Sequence, residues 1–153
     1  MEDEVLETWA IHNRIQLYVL DAIAPAAFSA APTKGRSVGE QFAHIHNVRL
    51  LWLRSAAPEL LDGLNKAEKA DAADPVRLRQ ALTASGAAIG VLLRNALASG
   101  GRVKGFKPHA VAFLGYLIAH EAYHQGDLGV VLSQTGHPLD KKTAFGMWEW
   151  GVR

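Results

Sequence analysis

Cysteine is missing from this chain of 153 residues. The protein therefore has no disulfide bond, no thiolate ligand for a metal ion and no thiol nucleophile, so any metal site must use histidine and carboxylate side chains. Strand patterns are nearly missing too, because no stretch combines two-residue alternation with β-branched and aromatic residues over more than a few positions. The sequence therefore predicts an all-α protein.

Neither sign of charge is in excess. Sixteen Lys and Arg residues against fifteen Asp and Glu residues leave a formal net charge of +1, which gives no electrostatic reason to expect a nucleic-acid or membrane partner. The first residues, Met1 to Glu4, are acidic where a signal peptide is basic. No run of about 18 apolar residues is present to span a membrane. We therefore expect a cytoplasmic protein.

Hydrophobic residues, in contrast, are plentiful, at 49% of the chain against 20% charged residues. A chain of this length and composition is expected to bury a sizeable core as one globular domain over residues 1–153. We find no internal repeat that would suggest a different organisation.

Four long helices are predicted from apolar spacing and from start and stop signals. They are expected at about residues 3–22, 37–55, 75–98 and 108–134. Ser37 and Glu40 form a capping box for the second helix, and Asp74 with Pro75 starts the third. Pro108 opens the fourth helix, which Gly136 ends.

Long helices joined by short or moderate connections favour an antiparallel four-helix bundle. The last stretch, Thr143 to Trp150, is predicted to be a short capping segment that uses Trp148 or Trp150. Because helices 1 and 2 are apolar on more than one side, we also expect a buried surface in a homodimer.

The segment His120-Glu121-Ala122-Tyr123-His124 is the strongest functional signal. Histidines four residues apart lie on one face of a helix and can bind the same metal ion. Apolar residues at three- and four-residue spacing continue this face on both sides and turn the imidazoles inward; they are Phe113, Leu117, Leu128 and Val131. A metal site is therefore the leading hypothesis.

The same segment matches H-E-x-x-H, the zinc-protease pattern in which the glutamate is the general base. A metzincin-type site would need Gly at position 127 and His at position 130, where this chain has Asp127 and Val130. A downstream glutamate ligand could come only from Glu149, and no edge strand is predicted to bind a peptide. The sequence does not favour a peptidase.

Two imidazoles bind a metal weakly, and catalytic zinc sites commonly have three protein ligands. The capped second helix offers two candidates for the third, His44 and His46. Two residues rotate a helix by about 200°, so both cannot reach one ion from one face. This helix is apolar on too many sides for periodicity to choose between them.

Several motifs together resemble the DinB/YfiT-like family. They are Ser37-Val38-Gly39-Glu40-Gln41-Phe42-Ala43-His44, the pair Trp52-Leu53, and His120-x-x-x-His124-x-Gly126 followed by Leu128 and Gly136. The likeness covers most of the chain and implies a four-helix bundle with a three-histidine metal site. On this register the ligands are His44, His120 and His124. The family commonly reads His-x-x-x-His-Arg-Gly-Gln, whereas this chain has Gln125 and Asp127 in place of the Arg and the Gln.

Such a site implies a divalent ion, Zn²⁺, Ni²⁺ or Fe²⁺, with at least one open position for water or substrate. Families similar to this one include thiol-dependent transferases and isomerases, in which a low-molecular-weight thiol comes from outside the chain, and metal-dependent hydrolases. Glu121 is the candidate general base for hydrolysis. A non-catalytic metal-dependent protein for ligand binding or stress response is the alternative.

The remaining candidates have more than one interpretation. Glu121 stands about 100° from His120 on the helix and either faces a metal-bound water or forms a salt bridge. Asp127 either orients a ligand imidazole or is solvated, and Tyr123 either reaches the cavity or packs on a neighbour. Other histidines show no paired spacing and are predicted to be surface or structural residues; they are His12, His109 and His137.

Overall fold

The computed structural model describes all 153 residues and is entirely helical, as the sequence predicts. Five α-helices follow one another along the chain: α1 Glu2–Ala22, α2 Val38–Ala56, α3 Pro75–Ala98, α4 Ala110–Gln134 and α5 Lys141–Gly146. Short 3-10 helices cover Pro25–Ser29, Pro58–Leu61, Asp71–Ala73 and Trp150–Val152. The only β-type contact is an isolated bridge between Arg102 and His109.

The starts of α2 and α3 use the predicted capping residues. Ser37 Oγ accepts a hydrogen bond from the Glu40 N–H at 3.1 Å, while Glu40 Oε2 accepts from the Ser37 N–H at 2.7 Å. Asp74 Oδ1 accepts from the N–H groups of Val76 and Arg77 at 3.0 and 3.2 Å. Each cap satisfies backbone N–H groups that have no partner within the helix. Both helix starts are therefore determined locally.

The start of α4 lies slightly later than predicted. The sequence placed it at Pro108, whereas α4 begins at Ala110 with His109 as its cap. His109 Nδ1 accepts a hydrogen bond from the Ala112 N–H at 3.1 Å. At the other end Gly136 has a φ of 82°, and the His137 N–H donates to the Leu132 carbonyl at 2.8 Å. The predicted glycine stop is confirmed.

The four long helices pack against one another, with contacts of α3 to α1 and α2, and of α4 to α2 and α1. Apolar side chains form two buried clusters. One cluster includes Val19, Phe42, Leu82 and Leu128, and the other includes Trp9, Leu53, Ile89 and Phe113. Along each of the four helices, buried polar residues lie between the stretches that supply the two clusters; they are His12, Gln16, His46, Arg49, Ser85, Glu121 and His124. A polar layer therefore crosses the interior.

Helix α3 is long and apolar enough to cross a membrane by length and composition, with a mean hydropathy of 1.4 over its best window. The sequence of α3 contains no uninterrupted apolar run of about 18 residues, the length that spans a membrane. Core helices of soluble proteins pass the same test, and α3 packs Leu78, Leu82 and Ile89 into the two clusters. Its apolar character is thus used within the fold.

The C-terminal segment includes the short helix α5, but it does not pack through the predicted tryptophans. Trp148 is 75% exposed and Trp150 is 37% exposed. The contacts come instead from Met147, which packs on the first apolar cluster, and from Arg153, whose guanidinium lies 4.0 Å from the centre of the Tyr18 ring. A cation over an aromatic face is attracted by the ring quadrupole, so Arg153 and Tyr18 hold the segment.

Candidate metal centre

Packing of α2 against α4 brings three histidines together. The ring centres of His44 and His124 are 4.4 Å apart, those of His120 and His124 are 4.7 Å apart, and those of His44 and His120 are 5.5 Å apart. One nitrogen from each ring lies within 4.8 Å of the others. The three residues singled out from the sequence thus form one group that could hold a metal ion.

The separations suit a metal after small side-chain movements. Three atoms no more than 4.8 Å apart share a point within about 2.8 Å of each, against about 2.0–2.1 Å for a zinc–nitrogen bond. His124 is 7% exposed, whereas His44 and His120 are partly exposed. Because the group opens to the surface on that side, a bound ion would keep room for water or a substrate.

His46, the competing candidate on α2, faces a different part of the fold. It is 1% exposed, and its Nε2 lies 2.8 Å from the Asn65 carbonyl oxygen. A carbonyl only accepts, so Nε2 donates its proton to the loop before α3. The structure therefore selects His44 for the histidine group and gives His46 a structural role.

The three imidazoles are held in the neutral form that binds metals. The pKa of His44 is lowered to about 4, mainly by burial and in addition by the charge of Arg36 and by the two neighbouring histidines. Burial also lowers the pKa values of His120 and His124, and the Arg36 charge acts on both in the same direction. At neutral pH all three rings have a free lone pair.

Gln41 fixes the orientation of one of these rings. Its Oε1 lies 2.8 Å from Nδ1 of His124, and both side chains are buried. Since an amide oxygen only accepts, the proton is on Nδ1 and the lone pair is on Nε2. Gln41 precedes His44 by three residues on α2 and shares its face. Sequence reasoning missed Gln41, and this spacing was the available signal.

The other ring nitrogens of the group make no hydrogen bond to the protein. Nδ1 of His120 is buried and has no partner. A buried polar nitrogen without a partner costs free energy unless something else satisfies it. Three converging neutral nitrogens, one oriented by an amide and none supported by a carboxylate, are a donor set suited to Zn²⁺, Ni²⁺ or Fe²⁺. The residues fit a divalent ion.

Glu121 lies elsewhere, which corrects its prediction as a general base. Its carboxylate is 1% exposed and accepts hydrogen bonds from Arg49 Nε at 2.6 Å and Arg49 Nη2 at 2.8 Å. His12 Nε2 lies 2.8 Å from the same carboxylate. Burial alone would raise the pKa of Glu121, but the charge and hydrogen bonds of Arg49, with those of His12, lower it to about 2. Such a carboxylate is a poor proton acceptor at neutral pH.

Arg49 is the centre of the polar layer and was not identified from the sequence. It is fully buried, and its Nη1 donates to Asn13 Oδ1 at 2.9 Å and to the Leu82 carbonyl at 3.0 Å. Its guanidinium also lies 4.9 Å from the centre of the Trp9 ring. An arginine between Ile45 and Leu50 on an apolar helix face was the available signal. His12 has the predicted structural role, since it is buried in this network.

The two positions that depart from the family pattern behave differently. Gln125 Nε2 donates to Gln16 Oε1 at 3.2 Å, which extends the polar layer. Asp127 makes no hydrogen bond or ion pair, so it does not orient His124, a role that Gln41 has instead. The Tyr123 ring is 68% exposed and meets the His124 ring edge-on at 5.2 Å between centres.

One cleft is lined by His44, and a second by Gln41, the hydrogen-bond partner of His124. The larger, of about 400 Å³, is lined by His44 and includes Arg36, Glu40, Lys66, Glu68 and Lys69. The smaller, of about 220 Å³, is lined by Gln41 and includes Lys34, Arg36 and Asp127. The larger cleft has a volume within the range of small-molecule sites.

Comparison with known proteins identifies the family. The model of the DinB family matches residues 1–143 of the chain, so this chain belongs to the DinB family, as the motifs suggested. The match ends within α5, and the C-terminal residues 144–153 lie beyond it. No curated protein and no solved structure matches the chain.

Proposed function

We propose that His44, His120 and His124 bind one divalent metal ion and that the protein is a metal-dependent enzyme acting on a small molecule. The observation that supports this most strongly is the convergence of three neutral imidazoles from two helices within 4.8 Å. Membership in the DinB family adds support, since the sequence motifs attach a three-histidine site to the same residues. Zn²⁺, Ni²⁺ and Fe²⁺ all accept such ligands.

The histidine group and its surroundings fit thiol-dependent transfer or isomerisation better than hydrolysis. The candidate base for hydrolysis, Glu121, is not free for that role, because Arg49 and His12 hold its carboxylate. A thiol needs no such base once a Lewis acid lowers its pKa, and this is the chemistry that a bound divalent ion supplies. Since the chain has no cysteine, the thiol is a separate low-molecular-weight substrate.

In the transfer version, the sulfur of the thiol forms a bond to an electrophilic carbon of the second substrate. The bond from that carbon to its leaving group breaks, and the thiol proton leaves with that group or enters solvent. The chain itself supplies three imidazoles, and Gln41 holds the proton of His124 on Nδ1. The open cleft beside His44 admits the substrates.

A thiol-transfer assay tests this proposal. Metal-loaded protein, 2-mercaptoethanol and chlorodinitrobenzene should give the thioether faster than the uncatalysed mixture, and a chelator should abolish the difference. The His44→Ala variant should match the chelated protein, while His137→Ala, a change at an exposed histidine, should keep the activity. Equal rates with and without bound metal would contradict a thiol transferase.

A non-catalytic metal-dependent binding protein is the second candidate. It is favoured by one observation, namely that no carboxylate hydrogen-bonds to the histidine group. Metal-dependent binding of a thiol without turnover, across several electrophiles, would support this candidate over the enzyme.

We propose that the four long helices form the antiparallel bundle of the DinB type, that the protein is cytoplasmic and that it forms a homodimer. The predicted dimer surface was on helices 1 and 2, but α1 exposes no large hydrophobic residue and α2 exposes only Leu51. Helix α4 exposes Tyr116, Tyr123 and Val130, which recur every seven residues. We therefore assign the dimer surface to α4.

A further inference from the structure

Arg36 lies beside the histidine group, where two clefts meet. It immediately precedes the capping residue Ser37 and lines both clefts, the larger with His44 and the smaller with Gln41. Its charge acts on all three histidines and lowers the pKa of each. Arg36 therefore lies within electrostatic reach of the whole site.

The guanidinium of Arg36 has no protein partner. It makes no hydrogen bond and no ion pair, whereas Arg49, Arg77 and Arg79 each pair with a carboxylate. Glu40 lines the same cleft, but its carboxylate accepts from the Ser37 N–H as part of the helix cap. The donors of Arg36 are thus available to a ligand.

The charged side chains that line the two clefts favour an anionic ligand. Four cationic side chains line the two clefts, Lys34, Arg36, Lys66 and Lys69, against three carboxylates, Glu40, Glu68 and Asp127. A divalent ion on neutral imidazoles would add further positive charge. A cationic guanidinium disfavours a metal ion nearby unless an anion lies close to both. The planar guanidinium matches a carboxylate through two parallel hydrogen bonds.

We infer that the organic ligand reaching the metal through the cleft beside His44 carries a carboxylate, which Arg36 binds. The inference rests on the proposed metal centre and specifies its substrate class as small carboxylic acids. The carboxylate belongs either to the thiol or to the second substrate, and the chemistry of recognition is the same. Lys66 and Lys69 at the cleft attract such an anion from solution.

Cobalt-loaded protein offers a test that does not depend on activity, because a thiolate bound to Co²⁺ gives a charge-transfer absorption. In the first arm, mercaptoacetate, 3-mercaptopropionate and 6-mercaptohexanoate are titrated against the corresponding mercaptoalcohols. For at least one chain length the carboxylate should bind about tenfold more tightly than the alcohol. In the second arm, succinate is titrated calorimetrically into protein saturated with 2-mercaptoethanol.

Arg36→Gln should remove the carboxylate preference or the succinate binding. Arg54→Gln, a change at another exposed arginine in the last turn of α2, should keep both. A preference in the first arm assigns the carboxylate to the thiol, and binding in the second assigns it to the other substrate. The inference would be overturned if neither arm showed a carboxylate effect, or if the effect persisted in Arg36→Gln. In that case bound cobalt would still support the metal centre. Failure to bind cobalt would overturn both.

Discussion

Gln41 on α2 and His124 on α4 are joined by a buried hydrogen bond of 2.8 Å between Oε1 and Nδ1. The bond connects the helix that carries His44 to the helix that carries the other two histidines. It also determines which nitrogen of His124 is free. The geometry of the site therefore depends on a residue that need not touch the metal.

Replacing Gln41 with Ala should weaken metal binding about 10- to 100-fold, as is usual when a partner of a ligating histidine is removed. Gln41→Glu should retain most of the affinity, because a carboxylate also accepts the Nδ1 proton. Competition against a chromophoric chelator measures both. Unchanged affinity in Gln41→Ala would show that the hydrogen bond does not support the site.

Replacing Glu121 with Gln should lower stability rather than prevent metal binding. The change leaves the buried Arg49 without its counter-charge, and breaking a buried ion pair typically costs about 3–5 kcal/mol. Chemical denaturation measures the loss, with Glu149→Gln as the control, since Glu149 is about half exposed and its ion pair with Arg153 is long at 3.9 Å. A Glu121→Gln protein as stable as the parent protein would contradict the structural role of this ion pair.

The stability of the metal-free protein should fall in mild acid. The pKa of His44 is about 4 in the folded protein against an ordinary value of 6.5, so the unfolded chain binds more protons between these values. The free energy of unfolding is then unaffected by His44 above pH 6.5 and decreases as the pH falls towards about 4. Denaturant titrations across this range should show a shallower pH dependence for His44→Ala. Identical dependence in the two proteins would contradict the lowered pKa.

The α4 surface predicts how the protein assembles. Val130→Lys should weaken the proposed homodimer by about tenfold or more, because an interface that buries this valine would have to bury a charge instead. Val76→Lys on α3 is the matched control, since Val76 is 63% exposed and Val130 is 54% exposed. Light scattering across a dilution series measures the mass. A mass of 16.6 kDa for the parent protein at every concentration would exclude the dimer.

Local signals in the sequence predicted the helices well. The Ser37–Glu40 box and the Asp74–Pro75 start involve residues close in sequence, so their geometry follows from spacing. The pair His120 and His124 was found for the same reason. His44 and His46 could not be separated by periodicity, because α2 is buried on several sides. The family resemblance favoured His44, and the structure separates the two, since His44 lies against His120 and His124 while His46 contacts Asn65.

The polar layer could not be predicted in this way. Arg49 and Glu121 are 72 residues apart in sequence, and nothing in the pattern of either helix indicates that they meet. Without that partner, Glu121 matched the role of a base in H-E-x-x-H. Its true environment depends on how α1, α2 and α4 pack, which is information that one sequence does not contain.

Metal stoichiometry tests the central claim most directly. The protein, stripped with a chelator, is dialysed against Zn²⁺ and then against metal-free buffer, and the zinc is measured by elemental analysis. We predict one zinc ion per chain in the parent protein and in His46→Gln, and little or none in His44→Ala, His120→Ala and His124→Ala, each checked for folding by circular dichroism. A folded His44→Ala protein that retains one zinc ion, or a parent protein that binds none, would contradict the three-histidine metal centre.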